Sequence, residues 1–158
     1  MPPTEEVRPL GVEDALAKVP LLRGLSGEQR THLAKRTTRR SYPAAATIVR
    51  QGDTSMSFYV VLAGQVRIER EDGRGGRVLL EELGPGGAFG EMGLIDDLPR
   101  AATVVAVDPV ECALLARWDF QTELRADPEI ALALLPVLNA RIRTLNARLA
   151  AASAEQAR

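Results

Sequence analysis

Hydrophobic and polar positions follow three different patterns along the chain. Up to about residue 40 the apolar residues are spaced as in short helices, and from about residue 46 to 116 they form short β-like runs separated by glycine-containing turns. After residue 117 helical spacing returns. Strands about ten residues apart with glycine turns are typical of an antiparallel sandwich or barrel. The pattern therefore predicts a mainly β domain with flanking α-helices.

The N-terminal region contains two predicted helices. Val12 to Lys18 has room for a short helix, and Ser26 and Gln29 have the spacing of a capping box for a second helix that ends at about Lys35. The first ten residues are proline-rich and polar, so we expect a loosely ordered segment. Basic residues dominate positions 23–40, but without interleaved aromatic residues a solvated surface is favoured over a nucleic-acid patch.

Six runs in the central region are interpreted as strands, and the segment 87–104 is an insertion between two of them. Their bounds are Thr47–Arg50, Phe58–Leu62, Val66–Arg70, Val78–Leu80, Thr103–Val107 and Cys112–Ala116.

Two more helices are predicted after residue 117. Asp119 is interpreted as the cap of a short helix, and Asp127, followed by a proline and a glutamate, as the N-cap of a long one. Pro136 should kink or split the long helix, as a hinge or a static bend.

Apolar residues of the long helix recur at alternating steps of three and four. Such a stripe is typical of a coiled-coil seam, although a helix lying on a sheet also shows one, usually wider. We therefore expect self-association along Leu135, Leu138, Ile142, Leu145, Leu149 and Ala152.

Composition and charge argue against several classes of function. At 158 residues and 46% hydrophobic residues the chain suffices for one domain, and its net charge of −1 implies no dominant nucleic-acid surface. Cys112 is the only cysteine, so no intrachain disulfide forms and a cytoplasmic location is expected. No apolar run reaches membrane-spanning length. His32 is the only histidine, and the sequence lacks a metal-ligand cluster or a nucleophile-plus-base pattern, so we expect no enzyme and no bound metal.

The segment 87–104 contains the groups needed to hold a small anionic sugar phosphate. Gly90 lets the backbone approach a ligand, and free N–H groups at the start of a short helix favour an anion. Arg100 adds a planar fork of donors for phosphate oxygens. The alternative for Glu91 and Arg100 is an internal salt bridge.

This segment resembles the phosphate-binding cassette of cyclic-nucleotide-binding domains, the module of catabolite-activator-like proteins and cAMP-dependent kinase regulatory subunits. Phe89-Gly-Glu-Met-Gly-Leu94 and Pro99-Arg-Ala-Ala-Thr-Val104 carry the resemblance, with Arg100 nine positions after Glu91 as in the kinase type. The resemblance implies an antiparallel β-barrel or jelly roll with N-terminal helices and a long C-terminal helix. It divides the chain into a flexible segment 1–10 and one domain at 11–158, with helices at 11–40, the barrel at 41–116, its cassette at 87–104, and helices at 117–152.

The family also implies roles for individual residues. Arg100 would pair with the cyclic phosphate and Glu91 would accept a hydrogen bond from the ribose 2′-hydroxyl. Arg141 matches a helix arginine near the nucleotide, and Asn146 falls where catabolite-activator-like relatives contact adenine, although either could be a solvated helix residue. The remaining implied site residues are Phe89, Gly90, Met92, Gly93, Ala101, Ala102 and Thr103.

Ligand and role follow from the same resemblance. Ala101 has no hydroxyl for a guanine amino group, which favours cAMP over cGMP. We expect a stand-alone cAMP sensor without another cofactor, acting through its C-terminal helix on a homodimer or protein partner, without direct nucleic-acid or membrane contact. Two rivals are the sensory half of a helix-turn-helix regulator, and an interaction module that binds cGMP, cyclic di-GMP or no nucleotide.

Overall fold

The computed structural model describes residues 8–96 and 98–157, which form two antiparallel sheets flanked by helices. The α-helices are α1 (Val12–Ala17), α2 (Gly27–Lys35), α3 (Arg117–Ala126) and α4 (Pro128–Gln156), and two 3-10 helices span Pro20–Leu22 and Glu91–Leu94. The strands are β1 (Thr38–Tyr42), β2 (Thr47–Val49), β3 (Ser57–Ala63), β4 (Val66–Glu71), β5 (Arg77–Leu83), β6 (Ala88–Phe89), β7 (Thr103–Ala106) and β8 (Val110–Ala116).

The strands form two four-stranded sheets in the orders β1-β8-β3-β6 and β2-β7-β4-β5. One apolar core lies between the sheets and includes Val61 from the first and Val104 from the second. A second core joins the other face of the first sheet, at Phe58 and Val60, to all four helices. Strand β3 is therefore buried on both faces, which explains its uninterrupted apolar run. The predicted jelly roll with flanking helices is confirmed.

The predicted N-terminal helices are present, but the strand region begins earlier than expected. The Gln29 backbone N–H donates to Ser26 Oγ at 3.1 Å and the Ser26 N–H donates to Gln29 Oε1 at 2.9 Å, which completes the capping box. Strand β1 starts at Thr38, inside the range 11–40 assigned to helices. It is largely exposed and polar and has no apolar alternation, so only its backbone pairing with β8 reveals it. The predicted flexibility of residues 1–7 lies outside the described residues.

The C-terminal helices differ from the prediction at the start of α3. Asp127 caps α4 by accepting from the Glu129 N–H at 3.2 Å, as predicted. Helix α3 begins at Arg117, so Asp119 is not its cap; its carboxylate lies in the first turn, 3.6 Å from Arg36. Of the two effects predicted for Pro136, a split is not formed, since α4 is continuous through it, and a kink stays a prediction. No helix in the described ranges is both long and apolar enough to cross a membrane.

Candidate functional site

A pocket of about 350 Å³ lies between the 87–104 segment and the inner face of the β2-β7-β4-β5 sheet. Pockets of roughly 300–1,000 Å³ are typical for small ligands. Eight of the eleven residues predicted from sequence line it: Phe89, Gly90, Glu91, Met92, Gly93, Arg100, Ala101 and Ala102.

The other three predicted residues do not line this pocket. Thr103 is buried, and its hydroxyl accepts a hydrogen bond from the Gln51 N–H at 3.0 Å, so it stabilises the loop. Arg141 lies on α4 at the edge of the site, where its guanidinium forms an ion pair with Glu91. Asn146 is exposed one turn further along α4.

Two glycines allow the cassette backbone to turn beneath the pocket. Gly90 has a φ of +78°, in the left-handed region, and a Cβ there would collide with Arg100 Nη1. A Cβ at Gly93 would collide with the Ser55 side chain. The 3-10 helix Glu91–Leu94 starts directly after Gly90, and its first three residues line the pocket. Side chains at these two positions are therefore excluded by space, and at Gly90 also by backbone strain.

Arg100 is held rigidly at the pocket by its backbone and side chain. Its N–H donates to the Asp53 carbonyl at 2.8 Å, and its carbonyl accepts from the Gly52 N–H at 2.9 Å. Nη2 donates to the Ser57 carbonyl at 2.7 Å, and the guanidinium lies 5.5 Å from the centre of the Tyr59 ring. That ring stacks on Phe89 at 4.9 Å. The guanidinium is thus pre-positioned before any ligand arrives.

One donor of Arg100 is left unused. Nη1 is buried and has no hydrogen-bond partner among the described residues. Burial lowers the pKa of Arg100 from its ordinary value, but a guanidinium keeps its proton throughout the physiological range. The pocket therefore contains a fixed positive charge with an unsatisfied N–H group, which is an arrangement suited to an anion.

Glu91 does not pair with Arg100. Its Oε1 lies 3.5 Å from Nη2 of Arg141, so the structure connects the cassette carboxylate to α4. A second connection between the cassette and α4 is apolar: Leu94 is buried in the core that also contains Ile130 and Leu134 of α4. The internal Glu91–Arg100 salt bridge considered from the sequence is not formed in the described structure.

The far wall of the pocket was not predicted from the sequence. Val49, Ile68 and Val104 form an apolar surface across β2, β4 and β7, and Glu81 of β5 lies beside them. The spacing of Glu81 and Leu83 along β5 indicates that the two side chains share one face of the strand, but only the pairing with β4 decides whether that face is the pocket side.

The second half of α4 extends away from the core. Ile130, Leu134 and Val137 near its start are buried. The predicted seam is open: Leu135 on the other side of this first part, and Ile142, Leu145 and Leu149 beyond it, are each more than half exposed.

The family model and the similar proteins all indicate the same family. Residues 39–127 match the cyclic nucleotide-binding domain family. The chain is 37% identical over 139 residues to the cyclic AMP receptor protein of Thermus thermophilus, which covers 88% of this chain and 64% of that protein. It is 36% identical over 109 residues to a cAMP-dependent protein kinase regulatory subunit of Colletotrichum orbiculare, covering 69% of this chain and 27% of that subunit.

A solved structure agrees with these relatives. The N-terminal domain of a transcriptional regulator from Streptomyces coelicolor superposes with a TM-score of 0.79 at 33% identity, covering 84% of this chain and 95% of that one. The chain thus spans less than two thirds of the two curated relatives and nearly all of this excised domain. The match over more than half of the sequence, together with the jelly roll and its cassette pocket, shows that this chain belongs to the cyclic nucleotide-binding domain family.

Proposed function

We propose that the chain binds cAMP in the cassette pocket, with the cyclic phosphate at Arg100. The observation that supports this most directly is the buried Nη1 of Arg100, which lacks a partner among the described residues. A buried donor without a hydrogen bond costs about 1–3 kcal/mol, and a phosphate oxygen would satisfy it with a charge-assisted bond. No large rearrangement is needed, because Ser57 and Tyr59 already orient the guanidinium.

The ribose is assigned to Glu91. A carboxylate beside a phosphate is repelled, but it is a good acceptor for a sugar hydroxyl. Glu91 lines the same pocket as Arg100, and its position is supported by Arg141. Phe89, Gly90, Met92, Gly93, Ala101 and Ala102 complete the proposed site. Thr103 acts by holding the loop.

The choice of cAMP over cGMP rests on two further points. Ala101 lines the pocket without a hydroxyl that could bind a guanine amino group. The relatives named above are a cyclic AMP receptor and a cAMP-dependent kinase regulatory subunit. This is a regulatory role rather than catalysis, without a further cofactor, and we place it in the cytoplasm.

Occupancy is transmitted to α4 through the Glu91–Arg141 ion pair and the buried Leu94. A ligand shifts α4 only if it binds one helix arrangement more tightly than another. A ribose hydroxyl at Glu91 changes the environment of Arg141, so ligand binding and helix position are coupled there. The exposed seam around Ile142 and Leu145 supports a homodimer or a protein partner as the receiver.

A second candidate is the sensory half of a DNA-binding regulator. The superposition on the N-terminal domain of a transcriptional regulator favours it, as does the 64% coverage of the cyclic AMP receptor protein. The ligand site is the same in both candidates, and they differ in what receives the signal. A length measurement of the native polypeptide in its own cells distinguishes them.

Isothermal titration calorimetry with cAMP, cGMP and cyclic di-GMP tests the ligand assignment. We expect saturable binding of cAMP with a 1:1 stoichiometry per chain and weaker binding of the other two. Light scattering with and without cAMP tests the transmission to α4, for which we expect a change in the dimer population. Absence of binding by all three nucleotides at millimolar concentration would refute the assignment.

A further inference from the structure

Glu81 stands on the inner face of a sheet where the strand pattern calls for an apolar residue. In the β4–β5 pairing Leu83 is opposite Val66, and Glu81 is opposite Ile68. Opposed residues of antiparallel strands share a face, and Val66 and Ile68 both face the core between the sheets. Leu83 packs against the same core. Glu81 is therefore on the pocket side of β5, where its side chain is still exposed, whereas Glu82, opposite Arg67, is on the outer side.

A register shift keeps the neighbouring apolar residues of β5 on the outside. Ile68 pairs with Glu81 but the next residue, Glu69, pairs with Leu79, so Leu80 is an extra residue in the strand. Leu79 and Leu80 are more than half exposed. The shift thus turns Leu79 to the outer face, while the pairing with Ile68 places the carboxylate of Glu81 beside the pocket.

The surroundings of Glu81 are suited to a flat heteroaromatic ring. It lines the same pocket as Arg100, next to Val49, Ile68 and Val104. These three residues pair across adjacent strands and so form a continuous apolar surface.

Glu81 is also the pocket carboxylate without a partner. Among described residues it has no hydrogen bond and no ion pair. The two other pocket carboxylates are engaged: Glu91 pairs with Arg141 at 3.5 Å, and Asp96 accepts from the Leu98 N–H at 3.2 Å. An ionised carboxylate only accepts hydrogen bonds, so its complement on a ligand is an N–H donor.

We propose that Glu81 determines base specificity by accepting a hydrogen bond from the 6-amino group of adenine. The inference rests on the proposed cAMP binding, since it places the base of that ligand on the surface of Val49 and Ile68. Hypoxanthine carries a carbonyl in place of the 6-amino group, and this oxygen would face the carboxylate. The analogue would therefore lose this hydrogen bond and bring two acceptors together, which disfavours its binding.

Calorimetry with cAMP, its hypoxanthine analogue cIMP, and cGMP tests this assignment on wild type, Glu81→Gln and Glu82→Gln. The two variants remove the same charge from adjacent exposed residues, so Glu82→Gln is a matched control. We expect wild type to prefer cAMP over cIMP by about 10-fold or more. Glu81→Gln should reduce or invert this ratio, because its amide can donate to the 6-carbonyl, and Glu82→Gln should leave it unchanged. Glu81→Ala should also bring the ratio close to one.

The outcomes separate this inference from the proposed function. If wild type binds cAMP but Glu81→Gln keeps the wild-type ratio within twofold, the role of Glu81 is refuted while cAMP binding stands. If wild type prefers cGMP and Glu81→Gln abolishes that preference, the carboxylate reads the guanine N1–H and 2-amino groups, and the adenine assignment is wrong. If folded wild type binds none of the three, both proposals fail.

Discussion

Replacement of Arg100 by alanine should abolish most of the nucleotide affinity without unfolding the protein. The arginine presents a buried, unpartnered Nη1 to the pocket, and no other arginine or lysine lines it among the described residues. Removing one partner of a buried charge pair costs about 2–5 kcal/mol, which corresponds to a loss of roughly 30-fold to a few thousand-fold in Kd. Arg100→Lys keeps the charge but loses the planar fork, so its affinity should be intermediate.

The stability of unliganded Arg100→Ala should change little, because opposing effects partly cancel. The variant loses the hydrogen bond to the Ser57 carbonyl and the contact with Tyr59, worth about 0.5–2 kcal/mol each. It also relieves a desolvated cation with an unsatisfied donor, which costs a similar amount. A net change of no more than about 2 kcal/mol is expected.

Thermal unfolding with and without cAMP separates the two effects. At a cAMP concentration of about 1,000 times the wild-type Kd, ligand binding stabilises wild type by about 4.1 kcal/mol, and a 100-fold weaker variant gains only about 1.4 kcal/mol. Arg125→Ala is the matched control, since Arg125 is an exposed arginine of α3 outside the pocket. A folded Arg100→Ala protein that binds cAMP within threefold of wild type would refute the reasoning.

Three further predictions address the turn, the core and the helix seam. Both Gly90 and Gly73 have a φ of +78°, so an alanine at either position should cost about 1–2 kcal/mol of backbone strain. Only at Gly90 would the added Cβ meet a guanidinium, that of Arg100. Calorimetry should therefore find that Gly90→Ala loses nucleotide binding and that Gly73→Ala keeps it. Burial raises the pKa of Cys112 from 9.0 to about 12, so on raising the pH the thiol deprotonates first in the unfolded chain. The free energy of unfolding should therefore fall by about 1.4 kcal/mol per pH unit between pH 9 and 12. Urea titrations should show a shallower decline with pH for Cys112→Ala, and a slope equal to that of wild type would contradict this. Leu145→Asp should abolish self-association in light scattering without lowering the Tm of the monomer, because the side chain is 56% exposed. Ala147→Glu, which lies off the seam, should leave self-association unchanged. Equal effects of the two variants would show that the seam is not the interface.

Much of the architecture was predictable because it depends on neighbours in sequence. The capping box of Ser26 and Gln29 and the cap at Asp127 follow from side chains that bond backbone groups two or three residues away. Six of the eight strands in the described structure followed from apolar runs and glycine turns, and β6 lies in the segment interpreted as an insertion. Strand β1 was missed because its side chains are mostly exposed and its pairing partner, β8, lies about 70 residues away. Asp119 was misassigned because its partner is Arg36, on a distant element.

The cassette residues could be predicted in the same way, since a continuous segment places Gly90, Glu91 and Arg100 on one turn and the loop after it. Their partners could not. Arg100 depends on Ser57, and Glu91 on Arg141, through contacts between elements far apart in the chain. The facing of Glu81 depends on its pairing with Ile68 of β4, and shifting that register by one residue would turn its side chain to the opposite face. Local chemistry therefore defines the proposed phosphate and ribose ends of the site, whereas strand register and helix docking define the proposed base end, because those are set by long-range pairing.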